Sequence, residues 1–336
     1  MASSATWPGR AARVVSAQRG LFTVNDGQGE AACFVAGRIR HSQAEDYPVT
    51  GDWVVVRQEM IQGVLPRQNM LARGRSGSRG RRMDAAWTGQ PIAANLDTVF
   101  VVCGLDRDFN LRRLERYLTL VYNAGISPVV VLTKADLHAD AASFCQEAEA
   151  IAPGVPVVAT SARDGRGRAE LESWLSPGRT VAMIGSSGAG KSTLANLLHG
   201  SEIQTAGDVG SGTGKGRHTT TVRELLRMPQ GGLLMDNPGI REIALWEGDQ
   251  GTDDAFPDIR ELARHCRFAD CSHGCEPGCA VLQAVERGTL PLGRLESYRK
   301  LQRELRYACA RQDKGADRVE KERWKGISRH TRRLKR

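Results

Sequence analysis

The chain has 336 residues, 40% of them hydrophobic, and a formal net charge of +9. That length exceeds one ordinary core and suggests two or three domains, while no apolar stretch approaches the roughly 20 residues that span a bilayer. The charge is uneven: residues 294–336 carry sixteen Lys and Arg against six Asp and Glu, and the rest of the chain sums to about −1. This excludes a uniformly basic protein and points to a polyanionic partner met at the C-terminal end.

The start, MASSATWPGRAARVV, is Arg- and Ala-rich without acids, as transit peptides are. It runs straight into strand-like sequence with no cleavable spacer, so a cytoplasmic protein is expected. Residues 11–72 then read as five short strands, ARVVSAQ, LFTVND, AACFVAGRI, DWVVVRQ and IQGVLPR, separated by turn signals. Five strands in about sixty residues suit a small closed barrel of the OB type, over residues 1–72, a fold that often binds nucleic acid. The plainer alternative is a barrel that only packs on its neighbour. RGRSGSRGRRM, residues 73–83, reads as a linker or long mobile loop, bounded at 73–89. Its five arginines either touch phosphates or keep it solvated.

From Leu96 the pattern changes to alternating buried strands and amphipathic helices, which specifies a parallel sheet with helices on both faces. This α/β domain is placed at residues 90–248. Beyond about residue 250, short helices surround a cysteine cluster. LESYRKLQRELRYAC then puts Leu295, Tyr298, Leu301 and Leu305 on one helical face. Residues 249–336 are taken as a helical, zinc-binding domain with a basic tail.

Within the α/β domain the hydrophobic run VVVLTKADL, residues 129–137, stops at Thr133-Lys134-Ala135-Asp136. Asp136 can accept from both guanine N1–H and N2–H₂, a donor pair that adenine lacks, and the Lys134 stem would lie over the ring. TSA, residues 160–162, ends the next strand; there Ser161 and Ala162 would offer the Ala162 N–H to guanine O6. GSSGAGKST, residues 185–193, follows the strand TVAMI and opens a helix, the context a phosphate-binding loop requires. The backbone N–H groups of Gly185, Ser186, Ser187, Gly188, Ala189 and Gly190 would wrap the phosphates. Lys191 would neutralise the β- and γ-phosphates, and Ser192, followed by Thr193, would ligate Mg²⁺. MDNPGI, residues 235–240, supplies D-x-x-G, with Asp236 on Mg²⁺ through water and the Gly239 N–H at the γ-phosphate. Between them GTGKGRHTTTV offers Thr219 or Thr220 to complete the Mg²⁺ shell. GTP, GDP and Mg²⁺ are the expected ligands.

The base-reading loop thus precedes the phosphate loop, as in a circularly permuted GTPase domain. Permutation is tolerable because the termini of a compact domain lie at its surface. It also makes the segment after Gly239, which responds to the γ-phosphate, lead directly into the C-terminal domain.

The remaining cysteines divide in two. Cys33, Cys103, Cys145 and Cys309 are scattered in apolar or helical contexts, as small core residues are. Cys266, Cys271, Cys275 and Cys279 lie within fourteen residues, a density that points to metal and a reducing compartment. Cys266, Cys271, His273 and Cys279 give C-x4-C-x-H-x5-C, a tetrahedral zinc pattern whose four protein ligands make the metal structural. An all-cysteine set with Cys275 in place of His273 is the alternative. The tail's Lys and Arg, with Tyr298, Tyr307 and Trp324 interspersed, suit RNA.

The permuted order, the preceding barrel, the Cys/His cluster and the segments GRHTTT and GIRE together resemble the bacterial small-subunit-dependent GTPases, RsgA, also called YjeQ. The resemblance spans nearly the whole chain. It implies an OB barrel, a permuted GTPase and a zinc domain acting late in maturation of the small (30S) ribosomal subunit; 16S rRNA is the expected partner and a monomer the expected form. The Asn in Asp-Asn-Pro-Gly departs from the commoner Thr or Ser. Ile240 stands where many GTPases carry a water-orienting Gln, so slow intrinsic hydrolysis is expected. His218, beside the switch threonines, is the in-cis catalytic candidate, a role that the resemblance strengthens. The rival readings are an RNA-binding scaffold holding GTP as a structural ligand, and a GTPase directed at tRNA or mRNA.

Overall fold

The computed structural model describes residues 9–18, 20–40, 46–74, 89–203, 224–236 and 253–314. Strands β1 (Arg10–Gln18), β2 (Leu21–Asn25), β3 (Glu30–Val35), β4 (Trp53–Arg57) and β5 (Met60–Val64) reproduce the five expected ones. β1 pairs antiparallel with both β2 and β4, β3 runs parallel to β5, and β5 returns antiparallel to β4. The ladder therefore closes in the order β1-β2-β3-β5-β4-β1, which leaves the barrel no open edge. Because side chains alternate along a strand, Ala12 and Val14, Phe22 and Val24, Cys33 and Val35, Val54 and Val56, with Ile61, fill its interior. A single helical turn, α1 (Gly37–Arg40), follows β3.

Two further strands, β6 (Met70–Gly74) and β7 (Gly89–Ala94), pair antiparallel as a separate ladder. The ends of the stretch read as a linker are therefore strand: Arg73 opposes Gln90 and Gly74 opposes Gly89. Residues 75–88, with most of the arginines, lie outside the described residues.

The α/β domain follows the expected alternation. β8 (Thr98–Gly104), α2 (Leu111–Asn123), β9 (Ser127–Thr133), α3 (Ala141–Ile151), β10 (Val157–Ala159), α4 (Arg168–Glu172), β11 (Thr180–Ile184) and α5 (Lys191–His199) come in chain order. β12 (Glu224–Arg227) and β13 (Leu233–Asp236) complete the sheet. Its order is β10-β9-β8-β11-β13-β12, parallel throughout except for the antiparallel edge strand β12. Sequence reading had not identified β12. It also joins the two sheets, through the bridge Ser16↔Glu224 to barrel strand β1.

β8 and β11 are buried at every position, as central parallel strands must be. Alternate residues feed two cores. Val99, Val101 and Cys103 pack with Leu114, Leu118 and Val121 of α2, whereas Phe100 and Val102 pack with Leu171, Leu194 and Leu198. α2 begins where the Asn110 side chain accepts from the Arg113 N–H at 3.0 Å, a helix N-cap.

The C-terminal part is helical: α6 (Pro257–Ala263), α7 (Ala280–Glu286) and α8 (Leu292–Lys314). Leu295, Leu301 and Leu305 are buried as their spacing predicts, and Tyr298 meets Phe256 edge-on at 5.5 Å. These residues belong to the same apolar cluster as Leu114 and Leu118, so α6–α8 pack on the outer face of α2.

Candidate nucleotide site and metal centre

β8, β9, β10 and β11 run parallel, so their C-terminal ends open on one rim of the sheet, where ligands of doubly wound folds bind. The phosphate loop leaves β11 there. Lys191, at the first position of α5, folds back over it, its Nζ donating to the Gly185 carbonyl at 2.9 Å and to the Ser186 carbonyl at 2.7 Å. Those carbonyls hold the ammonium above the loop, the position from which it would meet a phosphate. Gly190 has φ +90°, and a Cβ on it would lie 3.1 Å from Thr133 Oγ1, so glycine serves both the turn and the close approach.

That approach brings the two loops together. Thr133 Oγ1 donates to the Ala189 carbonyl at 2.5 Å, and Lys134 Nζ donates to the Gly188 carbonyl at 2.7 Å. Lys134 reaches the phosphate loop from a left-handed backbone, φ 61°, that turns the chain from β9 into a short 3₁₀ segment, Ala135–Leu137. Asp136 lies exposed on that turn. The TSA loop is tied in beside it, because the Ala135 N–H donates to the Thr160 carbonyl at 3.1 Å. Ser161 is buried and its Oγ accepts from the Arg163 N–H at 3.2 Å, while Ala162 between them is exposed.

A third segment, after β8, completes the junction. Asp106 Oδ2 accepts from Lys134 Nζ at 2.6 Å, and Asp108 accepts from the Ser186 hydroxyl and from Arg113. Neither aspartate was singled out from the sequence. Each looks like an ordinary loop acid until the fold sets it against the phosphate loop.

Of the remaining sequence candidates, Asp236 ends β13, paired in register with Met183 of β11, on the same rim as the phosphate loop. Ser192 and Thr193 lie in the first turn of α5. His218, Thr219, Thr220, Gly239 and Ile240 lie outside the described residues.

The metal candidates converge. Ligand atoms of Cys266, Cys271, His273 and Cys279 all lie within 4.8 Å of one another. His273 Nδ1 is 3.6 Å from Cys266 Sγ and 3.5 Å from Cys279 Sγ, and the two sulfurs are 3.8 Å apart. A tetrahedron with metal–sulfur arms of about 2.3 Å has edges of about 3.8 Å, so the donor set fits zinc in both chemistry and size. Cys275 is exposed and lies outside this group. The intervening turn is braced by Glu276, which accepts from the Ser272 hydroxyl and from the Gly274 N–H at 2.7 Å. The Ser272 hydroxyl first, and then backbone N–H groups, hold its carboxyl down at about 2. Arg299 of α8 donates to the His273 carbonyl and ties the metal loop to that helix.

Residues 64–246 match the family model for RsgA GTPase. A small ribosomal subunit biogenesis GTPase RsgA from Opitutus terrae is 45% identical over 333 residues, covering 94% of this chain and 89% of its own. The chain belongs to the RsgA GTPase family. A relative of the same description from Syntrophotalea carbinolica is 42% identical, covering 97% of this chain and 91% of its own. Among solved structures, the crystal structure of YjeQ from Thermotoga maritima superposes with a TM-score of 0.65 at 29% identity, covering 88% of this chain and 98% of that one. YloQ, a circularly permuted GTPase, shares the fold with a TM-score of 0.59 at 24% identity, over 91% of this chain and 98% of its own. The permuted order, the barrel ahead of it and the Cys/His centre behind it are thus the architecture of an RsgA GTPase.

Proposed function

We propose that the chain binds the small (30S) ribosomal subunit, acts late in its maturation and hydrolyses GTP in a subunit-stimulated manner. The observation that carries this reading is the junction of the base-reading and phosphate loops. Thr133 and Lys134 bond directly to the Ala189 and Gly188 carbonyls, so a nucleotide with its base at Asp136 has its phosphates at Lys191. The relatives' description as small ribosomal subunit biogenesis GTPases supplies the subunit.

In this reading Asp136 accepts from the guanine edge, the Lys134 stem covers the ring and the Ala162 N–H donates to O6. Residues Gly185 to Gly190 wrap the phosphates, Lys191 and Thr193 bind them, and Gly239 senses the γ-phosphate. Ser192, Asp236 and one of Thr219 and Thr220 hold Mg²⁺, which when bound neutralises charge on the β- and γ-oxygens. His218 orients the attacking water in place of the missing Gln. Cys266, Cys271, His273 and Cys279 hold one structural zinc, which fixes the loop leading into α7. The barrel lies within residues 1–72, with its last strand ending at Val64, the GTPase within 90–248 and the zinc domain within 249–336. The chain works as a cytoplasmic monomer, its basic tail on 16S rRNA.

The test is GTP turnover measured with and without purified 30S particles. Stimulation by orders of magnitude is expected. Binding of GTP with no stimulation would leave the scaffold reading in its place.

A further inference from the structure

We infer that Asp106 is a positioning residue for nucleotide binding: it pins the Lys134 ammonium so that the lysine stem is pre-set over the base, and thereby slows nucleotide dissociation. The inference rests on the guanine-nucleotide reading of this site and adds a residue to it.

Three segments distant in sequence meet at Lys134 Nζ. It is held by Asp106 Oδ2 at 2.6 Å from the loop after β8, and by the Gly188 carbonyl at 2.7 Å from the phosphate loop. The left-handed backbone of Lys134 sends its side chain across this junction. Exposed ion pairs contribute little, but here the side chains are only 27% and 34% exposed, and the acid is itself fixed. Asp106 Oδ1 accepts from the Asp108 N–H at 2.9 Å, and Asp108 Oδ2 accepts from the Gly104 N–H at 3.3 Å, so residues 104–108 form a closed, internally bonded turn. Burial alone would raise the Asp106 pKa. The Lys134 hydrogen bond and the Asp108 N–H outweigh it and hold the carboxyl below its ordinary value, so it is charged at neutral pH.

The sequence also makes room for the pair. A Cβ on Gly104 would lie 2.9 Å from Asp106 Oδ1 and 3.4 Å from Lys134 Nζ, so a larger residue there would displace the contact.

A lysine side chain free to rotate would have to be ordered at each binding event; Asp106 removes that cost beforehand, as preorganisation does. The stem meets the face of the ring and not its edge. Asp106 therefore acts alike on guanine and hypoxanthine nucleotides, whereas Asp136 discriminates between them through the 2-amino group.

The experiment measures dissociation of fluorescent GDP and IDP from the full-length protein, wild type against Asp106→Ala, Lys134→Ala and the double variant. Loss of a charged hydrogen-bond partner predicts a rise of about tenfold in the dissociation rate for Asp106→Ala, equal for GDP and IDP. The double variant should dissociate no faster than Lys134→Ala alone, because the aspartate acts through the lysine. Should Asp106→Ala fail to fold, Asp106→Asn keeps the Asp108 N–H contact while losing the charge, with an expected rise of about threefold. Additive effects in the double variant, or a loss confined to GDP, would overturn the inference. So would dissociation within twofold of wild type. A wild-type protein that binds no guanine nucleotide at all would instead refute the underlying reading of the site.

Discussion

Arg294 Nη1 of α8 lies 2.8 Å from Glu115 Oε1 of α2, with the two side chains only 4% and 0% exposed. The same guanidinium reaches Asp258 Oδ2 through Nε at 2.9 Å and Oδ1 through Nη2 at 3.0 Å, and stacks 4.3 Å from the centre of the Phe256 ring. Glu115 in turn accepts from Arg112 at 3.1 Å and from the Ser297 hydroxyl. A buried, hydrogen-bonded charge network therefore fastens the C-terminal helices to the first helix of the GTPase sheet. Arg116 paired with Glu304 extends it along the same helices. The same N-terminal turns of α2 (Leu111–Asn123) carry Arg113, whose partner Asp108 accepts from Ser186 of the phosphate loop. The first turns of α2 are thus linked to the phosphate loop through Asp108 and directly to the C-terminal helices.

Removing one side of such a network strands the remaining charges in the interior, which costs about 3–5 kcal/mol. Arg294→Met should fall toward the lower end of that range, because Glu115 keeps Arg112 and Ser297 as partners. The measurement is the shift in urea midpoint of the full-length protein. A midpoint unchanged from wild type would mean that the apolar contacts of Leu295, Leu301 and Leu305 hold the interface alone.

The base-reading loop gives a second prediction. Asp136→Asn should shift preference from guanine toward xanthine nucleotides, because the amide presents a donor where the carboxylate accepted. Competition of GTP and XTP for the variant is the readout. Retention of wild-type GTP affinity would show that Asp136 does not face the base.

Both sites differ in how plainly the sequence announced them. The phosphate loop and Thr133 to Asp136 are contiguous motifs at strand ends, and the barrel strands are short runs of β-branched and aromatic residues divided by turn signals, so each was legible locally. Asp106 and Asp108 were not, because their partners lie 28 and 78 residues away. Nothing near Glu115 in the sequence announces its burial, because its partner Arg294 lies 179 residues further on. β12 is four residues long at a sheet edge, too short for periodicity to register. β7 contains Gly89 and Pro91, residues that read as loop, and it is strand only because β6 pairs with it.

The metal centre gives a third prediction. Elemental analysis should find one zinc per chain, and a strong chelator should unfold the C-terminal helices while sparing nucleotide binding, since the ligands lie apart from the phosphate loop. Glu276→Ala removes the brace on the ligand turn and should weaken zinc binding by less than the about 10–100-fold that losing a group bonded to a ligand costs, because Glu276 bonds Ser272 and Gly274 and no ligand. Cys275→Ser should leave the zinc content unchanged, because that thiol lies outside the ligand group. Loss of zinc in Cys275→Ser, with retention in a His273 variant, would favour the all-cysteine set.

The last prediction concerns hydrolysis. Ile240 follows the D-x-x-G segment and cannot orient water, so the free protein should turn over GTP far more slowly than the median enzyme rate of about 10 s⁻¹. Purified small subunits should raise that rate by orders of magnitude. His218→Ala should abolish the stimulated rate and leave GTP affinity nearly unchanged, because an interaction made only in the transition state appears in kcat and not in binding. Removing residues 294–336 would also remove Arg294 and its buried network, so the tail is better tested by deleting residues 315–336, which lie outside the described residues. That deletion should weaken stimulation at low salt and matter less as salt is raised, since contacts to RNA phosphates are driven by counterion release. Stimulation that survives in His218→Ala would assign the water to a ribosomal group or to another residue of the switch. A tail effect independent of salt would mean that these basic residues act by packing and not by meeting phosphates.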